Sequence, residues 1–135
     1  MKKFLSVLCF TALFSTTLFA EFKAYNVQEL QESINAGIKV IDIRDAKQWE
    51  ETGTIPTSYT ITFSDKNDTL AVKKWMYKFN RIVKNKQQPF VLVSQDSAKS
   101  EDVGKFLNKT YGYKNIYYLK GGISSWTNDK KTVVK

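Results

Sequence analysis

Apolar residues recur along this chain with two different periods, and the periods predict helices and strands in turn. One helical period begins after Asn26, which can form a capping box with Glu29, and ends at Gly37. A stronger helical period covers residues 70–83, where one face is apolar and lysines lie opposite. Shorter helices are predicted over residues 46–51, 100–109 and 123–126.

Strands are predicted between these helices, in short runs rich in β-branched and aromatic residues. The runs are residues 38–43, 59–63, 90–93 and 116–119. Because strands and helices alternate, the sequence predicts a single α/β domain over residues 21–135, with a mainly parallel sheet and right-handed crossovers. The polar tail, residues 127–135, is expected to fray.

Residues 1–20 have the pattern of a secretory signal peptide. Lys2 and Lys3 precede an apolar run that ends at Phe14, and cleavage is predicted after Ala20. An uncleaved membrane anchor is the alternative, disfavoured because the run is shorter than the ~20 apolar residues of a spanning helix. The protein is therefore predicted to be periplasmic or secreted, and to meet a membrane only through this segment before cleavage.

The composition restricts the chemistry of the predicted mature domain. Cys9 lies in the predicted signal peptide and is the one cysteine of the chain, which also contains no histidine. A Cys/His zinc site and a haem site are therefore excluded, and neither a metal nor a cofactor is predicted. The formal net charge is +8, but the lysines are scattered without interleaved aromatic residues, so nucleic acid is not predicted as a partner.

The candidate site is the polar loop within residues 89–100, PFVLVSQDSAKS, where a buried strand turns into a helix. Such a turn presents backbone N–H groups at the end of a sheet, a common position for anions and nucleophiles. Asp42 and Arg44 end a neighbouring strand, and we expect them to tie loops together through an ion pair at the same edge. The residues of the loop are Ser94, Gln95, Asp96, Ser97, Ala98, Lys99 and Ser100.

Three segments of the chain, in their order and spacing, resemble the rhodanese-like family. They are Val40-Ile41-Asp42-Ile43-Arg44 with the turn Gly53-Thr54-Ile55-Pro56, the strand and loop 91–100, and Tyr118-Leu119-Lys120-Gly121-Gly122-Ile123 with Trp126. The family's forms are a D-x-R strand end, a G-H-I-P-G turn, a C-x-x-x-x-R-S loop and an L-x-G-G-x-x-x-W segment. The resemblance implies a rhodanese-like three-layer α/β/α domain. It also implies sulfur transfer through a cysteine persulfide, or attack on phosphate by the same cysteine in related members.

The chain departs from the family pattern where the reaction takes place. Ser94 stands at the position of the loop cysteine and Lys99 at that of the arginine, while Thr54 and Thr57 replace the histidine and the second glycine of the turn. A persulfide needs a protein sulfur, and a serine hydroxyl needs a general base. Lys99 could serve as that base only if it were desolvated. Ser94 is therefore interpreted as a small loop residue rather than a nucleophile.

Two functions remain open. The favoured one is an exported rhodanese-like domain without sulfurtransferase activity, a binding or accessory module whose partner is another exported protein or a small anion. Anion binding would use the N–H groups of the loop with Ser97, Lys99 and Ser100. Asp96, and Glu101 and Asp102 in the predicted first helical turn, oppose it. The alternative is a sulfurtransferase or phosphatase-like enzyme with an unrecognised nucleophile.

Overall fold

A computed structural model describes residues 21–135, so the predicted signal peptide and its cleavage after Ala20 lie outside the described residues. The elements in chain order are β1 (Glu21–Tyr25), α1 (Val27–Asn35), β2 (Lys39–Asp42), α2 (Ala46–Thr52), β3 (Tyr59–Thr60), α3 (Thr69–Phe79), β4 (Phe90–Val93), α4 (Ser97–Tyr111), β5 (Asn115–Leu119) and α5 (Gly122–Asn128). In this part of the chain no helix is long and apolar enough to cross a membrane.

The strands form one five-stranded sheet in the order β1-β5-β4-β2-β3. Each neighbouring pair is parallel, which confirms the predicted α/β class and sheet. All residues of β4 are buried, and this explains why its sequence is a continuous apolar run rather than an alternating one. Because parallel strands end at the same edge, the segments that follow β2, β4 and β5 meet there.

Helices cover both faces of the sheet, as the predicted three-layer α/β/α architecture requires. α3 and α4 cover one face, where Trp75 and Phe79 stack with ring centroids 4.7 Å apart and Phe79 meets Phe90 edge-on at 4.9 Å. α1 and α5 cover the other face, where Leu30 and Trp126 are buried. The aromatic stripe of α3 is therefore core.

The strand β1 is missing from the sequence-based assignment. Its five residues are polar and apolar in turn, and the run is too short to be distinguished from a loop. Its register with β5 is continuous from Glu21↔Asn115 to Tyr25↔Leu119. Stacking of Phe22 on Tyr118, with centroids 5.3 Å apart, adds a contact that is distant in sequence and invisible to local pattern.

Two predicted elements continue several residues past the end of the observed ones. The helix predicted over residues 70–83 ends at Phe79, and Val83 is buried from the turn that follows. The strand predicted over residues 59–63 is a regular strand only at Tyr59–Thr60. In both segments the spacing of apolar residues indicates which side chains are buried. Side chains remain buried after the regular helix or strand has ended, so the predicted element is too long.

The fraying predicted for residues 127–135 is wrong. Thr54 and Val134 exchange two backbone hydrogen bonds of 2.8 Å, and Trp126 Nε1 donates to the Thr132 carbonyl at 3.0 Å. Val133 packs against the core on the α1 and α5 face. One of the partners that hold the tail, Thr54, lies 80 positions away, and the polar composition of the tail does not reveal it.

Candidate functional site

The ends of three central strands bring the predicted site residues together. β2 leads into Arg44, β4 leads into the loop at Ser94, and β5 leads into Gly121 and Gly122. The pairing of Asp42 with Val93 and of Leu92 with Tyr118 sets these ends side by side. The site is therefore a product of the parallel register rather than of any one segment.

Ser94 is turned into the protein, with only 1% of its surface exposed. Its hydroxyl donates to the Asp96 carbonyl oxygen, and its Oγ accepts from the Ser100 N–H at 3.2 Å. The Ser100 hydroxyl lies 2.7 Å from the same Oγ. The Ser94 side chain thus ties the two ends of its own loop together.

Asp96 ends the loop as the N-cap of α4. Its carboxylate accepts from the Ala98 N–H at 2.9 Å, and its extended backbone conformation is typical of a cap. The helix therefore begins at Ser97, three residues before the predicted start at residue 100. The Asp96 carboxylate and the Ser94 hydroxyl each accept a hydrogen bond from a helix N–H group. The chain itself therefore satisfies half of the N–H donors in the first turn.

The acidic residues expected in the first turn of this helix lie further along it. Glu101 and Asp102 are in the second turn, since the helix begins at Ser97. Asp102 pairs with Lys66 Nζ at 2.6 Å. Burial, and then a hydrogen bond to the Glu101 carboxylate, raise the pKa of Tyr118 above its usual value. Neither carboxylate caps the helix. The repulsion of anions predicted for the start of this helix therefore comes from Asp96, the N-cap.

The glycine pair after β5 closes the loop from the other side. The Gly121 N–H donates to Ser97 Oγ at 2.7 Å, and the Ile123 N–H donates to the Ser94 carbonyl at 2.9 Å. A Cβ placed on Gly122 would lie 2.4 Å from the Ser94 carbonyl oxygen and 2.6 Å from that of Gln95. The loop and the start of α5 are therefore in backbone contact, which only glycine permits.

Lys99 does not enter the loop. Its side chain is exposed, as are those of Gln95 and Ala98. Within the described residues its ammonium forms no ion pair, and the Ser94 hydroxyl has its contacts with Asp96 and Ser100 instead. The cation that the sequence places in this loop is thus exposed to solvent.

Asp42 and Arg44 form the predicted ion pair, with Nη2 and Oδ2 2.8 Å apart and each residue 1% exposed. The guanidinium also donates to the Gly53 carbonyl at 2.8 Å and to Thr52 Oγ1 at 2.7 Å. The Arg44 carbonyl accepts from Thr62 Oγ1. The pair joins the end of β2 to the end of α2 and to the segment after β3.

The turn after α2 carries the two threonines that depart from the family pattern. Thr54, at the histidine position, is bonded to the C-terminal tail through its backbone, and its Oγ1 lies 3.4 Å from the Val134 carbonyl. Thr57, at the position of the second glycine, has a φ of 69°. The backbone conformation that suits glycine is therefore kept by a β-branched residue.

Thr57→Gly is expected to raise the free energy of unfolding by about 1 kcal/mol. A β-branched residue in the left-handed region is strained by about 1 to 2 kcal/mol. Glycine removes this strain, but its larger conformational entropy in the unfolded state cancels part of the gain in stability. Urea unfolding of both proteins measures the difference. Thr110→Gly, in the helical backbone of α4, should be slightly destabilising, and an equal loss in Thr57→Gly would contradict the strain.

Comparison with known proteins identifies the class. The sequence profile described as "Rhodanese-like domain" matches residues 26–129, and the chain therefore belongs to the rhodanese-like domain family. A rhodanese domain-containing protein of Drosophila melanogaster is 28% identical over 91 residues, which span 66% of this chain and 81% of that protein.

Solved structures of this fold include proteins with different described activities. A rhodanese-related protein from Thermoplasma volcanium superposes with a TM-score of 0.63 at 22% identity, covering 83% of this chain and 97% of that one. A polysulfide-sulfur transferase from Wolinella succinogenes gives 0.63 at 20% identity, covering 84% and 78%. A possible tyrosine phosphatase from Rhodopseudomonas palustris gives 0.61 at 18% identity, covering 84% and 85%. At these identities the likeness establishes the fold alone.

Proposed function

We propose that this protein is an exported rhodanese-like binding module that has no persulfide chemistry. The observation that carries the proposal is the state of Ser94, whose hydroxyl is buried and bonded to Asp96 and Ser100 instead of facing the mouth of the loop. Export rests on the signal-peptide pattern of residues 1–20.

Sulfur transfer needs an atom that accepts the sulfur and then releases it to a second acceptor. A thiolate does both, since it is nucleophilic near neutral pH and forms a cleavable S–S bond. Ser94 offers oxygen only, and the described residues 21–135 contain no cysteine to replace it. The residue at the centre of the family's reaction is thus chemically unsuited to it.

A phosphatase-like reaction would require Ser94 itself to act as a nucleophile. Such a serine needs a base that takes its proton. The Ser94 proton is directed at a backbone carbonyl, which is not a base, and Lys99 is exposed rather than desolvated beside the hydroxyl. The geometry therefore favours a structural role for this hydroxyl.

A small anion is also a poor ligand for the loop. Asp96 places a carboxylate on the helix N-terminus, where an incoming sulfate or phosphate would bind, and Ser94 takes a second N–H group. An anion could bind here only after these internal hydrogen bonds break, and the free energy lost in breaking them would offset the free energy gained on binding. This favours a protein partner, in the exported compartment, over an anion as the ligand of the module.

The assay is thiosulfate:cyanide sulfur transfer, followed as thiocyanate, with an active rhodanese as the positive control. We expect no thiocyanate above the buffer blank from the wild type. Ser94→Cys, measured beside it, tests whether the rest of the loop still supports the family's reaction when sulfur is supplied.

Two results would contradict the proposal. Wild-type turnover that survives Ser94→Ala would place the reaction at another nucleophile, whereas turnover abolished by Ser94→Ala would make the hydroxyl itself reactive. The same variants assayed with p-nitrophenyl phosphate decide the phosphatase alternative in the same way.

A further inference from the structure

The free edge of the sheet beside α3 forms a continuous groove that the loop chemistry does not involve. β3 is the last strand of the sheet, with β2 on one side only. Two adjoining cavities of about 450 and 420 Å³ follow this edge, and both are lined by Thr60, Ile61 and Lys78. Trp49 lines the first of these cavities and Arg81 the second.

The backbone at this edge has hydrogen-bonding groups that face outward. The N–H groups of Ile61 and Phe63 donate to the carbonyls of Asp42 and Ile43, at 2.9 and 3.1 Å. Because successive residues of an extended chain alternate in direction, the backbone groups of Thr60 and Thr62 face away from the sheet. An unpaired edge of this kind is a template for one more strand.

The walls of the groove are positively charged. Lys74 and Lys78 line it from α3, and Arg81 follows them. All three are exposed, and within the described residues none of them has an ion-pair partner. The remaining lining residues are hydroxyl-bearing, aromatic or aliphatic, and none is acidic.

The floor of the groove is rigid, which favours binding without a rearrangement of the strand. Trp75 of α3 is buried and donates from Nε1 to the Ile61 carbonyl at 2.9 Å, which fixes the helix to the edge segment. Trp49 has a buried indole N–H that finds no acceptor among the described residues.

We propose that this groove binds an extended acidic segment of another protein, which adds a strand beside β3. The outward backbone groups supply the pairing, and Lys74, Lys78 and Arg81 supply attraction for carboxylate side chains. A second copy of this chain is disfavoured as the occupant, because the chain has a formal net charge of +8, stays positive without Lys2 and Lys3, and would repel its copy. The proposal concerns a surface separate from the loop at Ser94, and it stands whether or not that loop is reactive.

The test is the binding of a fluorescein-labelled peptide of alternating glutamate and threonine to the full chain, measured by fluorescence anisotropy. Lys74→Glu/Lys78→Glu is expected to weaken binding by about tenfold or more, since two attractions become repulsions. Lys105→Glu/Lys109→Glu is the matched control: both lysines are exposed, share the same spacing and end in the last turn of their helix. It should change the affinity by less than about twofold, apart from the common effect of net charge.

Hydrogen exchange separates strand addition from attraction by charge alone. On peptide addition the amides of residues 60–64 should exchange more slowly, while those of residues 105–109 stay unchanged. Ser94→Cys should bind as the wild type does. The proposal is overturned if both double variants lose affinity equally, if residues 60–64 gain no protection, or if oligothymidylate of equal charge displaces the peptide equally well.

Discussion

Arg44→Met is expected to lower the free energy of unfolding by about 3 to 5 kcal/mol, the usual effect of removing one partner of a buried ion pair. Both residues are 1% exposed in the wild type. The substitution therefore leaves the Asp42 carboxylate buried and without the guanidinium that pairs with it. It also removes the donors to Gly53 and Thr52 that hold the end of α2. Guanidinium chloride unfolding at constant pH measures the loss.

The control for this variant is Lys47→Met, which removes an exposed cation from a nearby i,i+4 pair. Lys47 and Glu51 are 3.9 Å apart with side chains 84% and 59% exposed, and such pairs contribute only about 0.3 to 0.5 kcal/mol. The double variant Asp42→Leu/Arg44→Met should lose less free energy of unfolding than its two single variants lose together, because it leaves no unpaired charge. A loss in Arg44→Met no larger than in Lys47→Met would mean that water solvates the pair.

Gly122→Ala is expected to cost about 3 kcal/mol or more. Alanine at a φ of 63° carries left-handed strain of about 1 to 2 kcal/mol. Its Cβ would in addition lie 2.4 Å from the Ser94 carbonyl oxygen, and overpacking against backbone adds about 1 to 3 kcal/mol. The loop that carries Ser94 would have to move away from α5, so the loss should appear in thermal and denaturant unfolding alike.

Gly112→Ala separates the two contributions. Gly112 has a φ of 77°, but a Cβ there would meet no atom within 4 Å. Its alanine variant should therefore show the backbone strain without the contact, a loss of about 1 to 2 kcal/mol. Equal losses in the two variants would show that the loop yields to the methyl group without resistance and is not clamped by Gly122.

The positions of the strand ends could be predicted because they depend on local signals. A continuous apolar run at residues 90–93 and a β-branched run before Asp42 are typical of strands buried on both faces. The Asp42–Arg44 pair could likewise be expected, since the two residues lie on one strand end, two positions apart. The absence of cysteine from residues 21–135 is a fact of composition and needs no structure.

The predicted start of α4 at residue 100 is wrong, and the reason is also local. Asp96, Ser97 and Ser100 can all cap a helix, and spacing does not distinguish among them. The structure selects Asp96, because Ser100 is used inside the loop by Ser94 and Ser97 accepts from Gly121. One of these choices depends on Gly121, which follows a different strand, so the competition is resolved only in the assembled sheet.

The sequence by itself determined the α/β class, the family pattern and the absence of sulfur from the loop, because these follow from local periodicity and residue type. Only the tertiary structure decided that the Ser94 hydroxyl faces inward, that the tail pairs with Thr54, and that the edge at β3 lies open beside the lysines of α3. These features depend on contacts between segments distant in sequence. Such contacts are set by the register of the parallel sheet, which no single segment encodes.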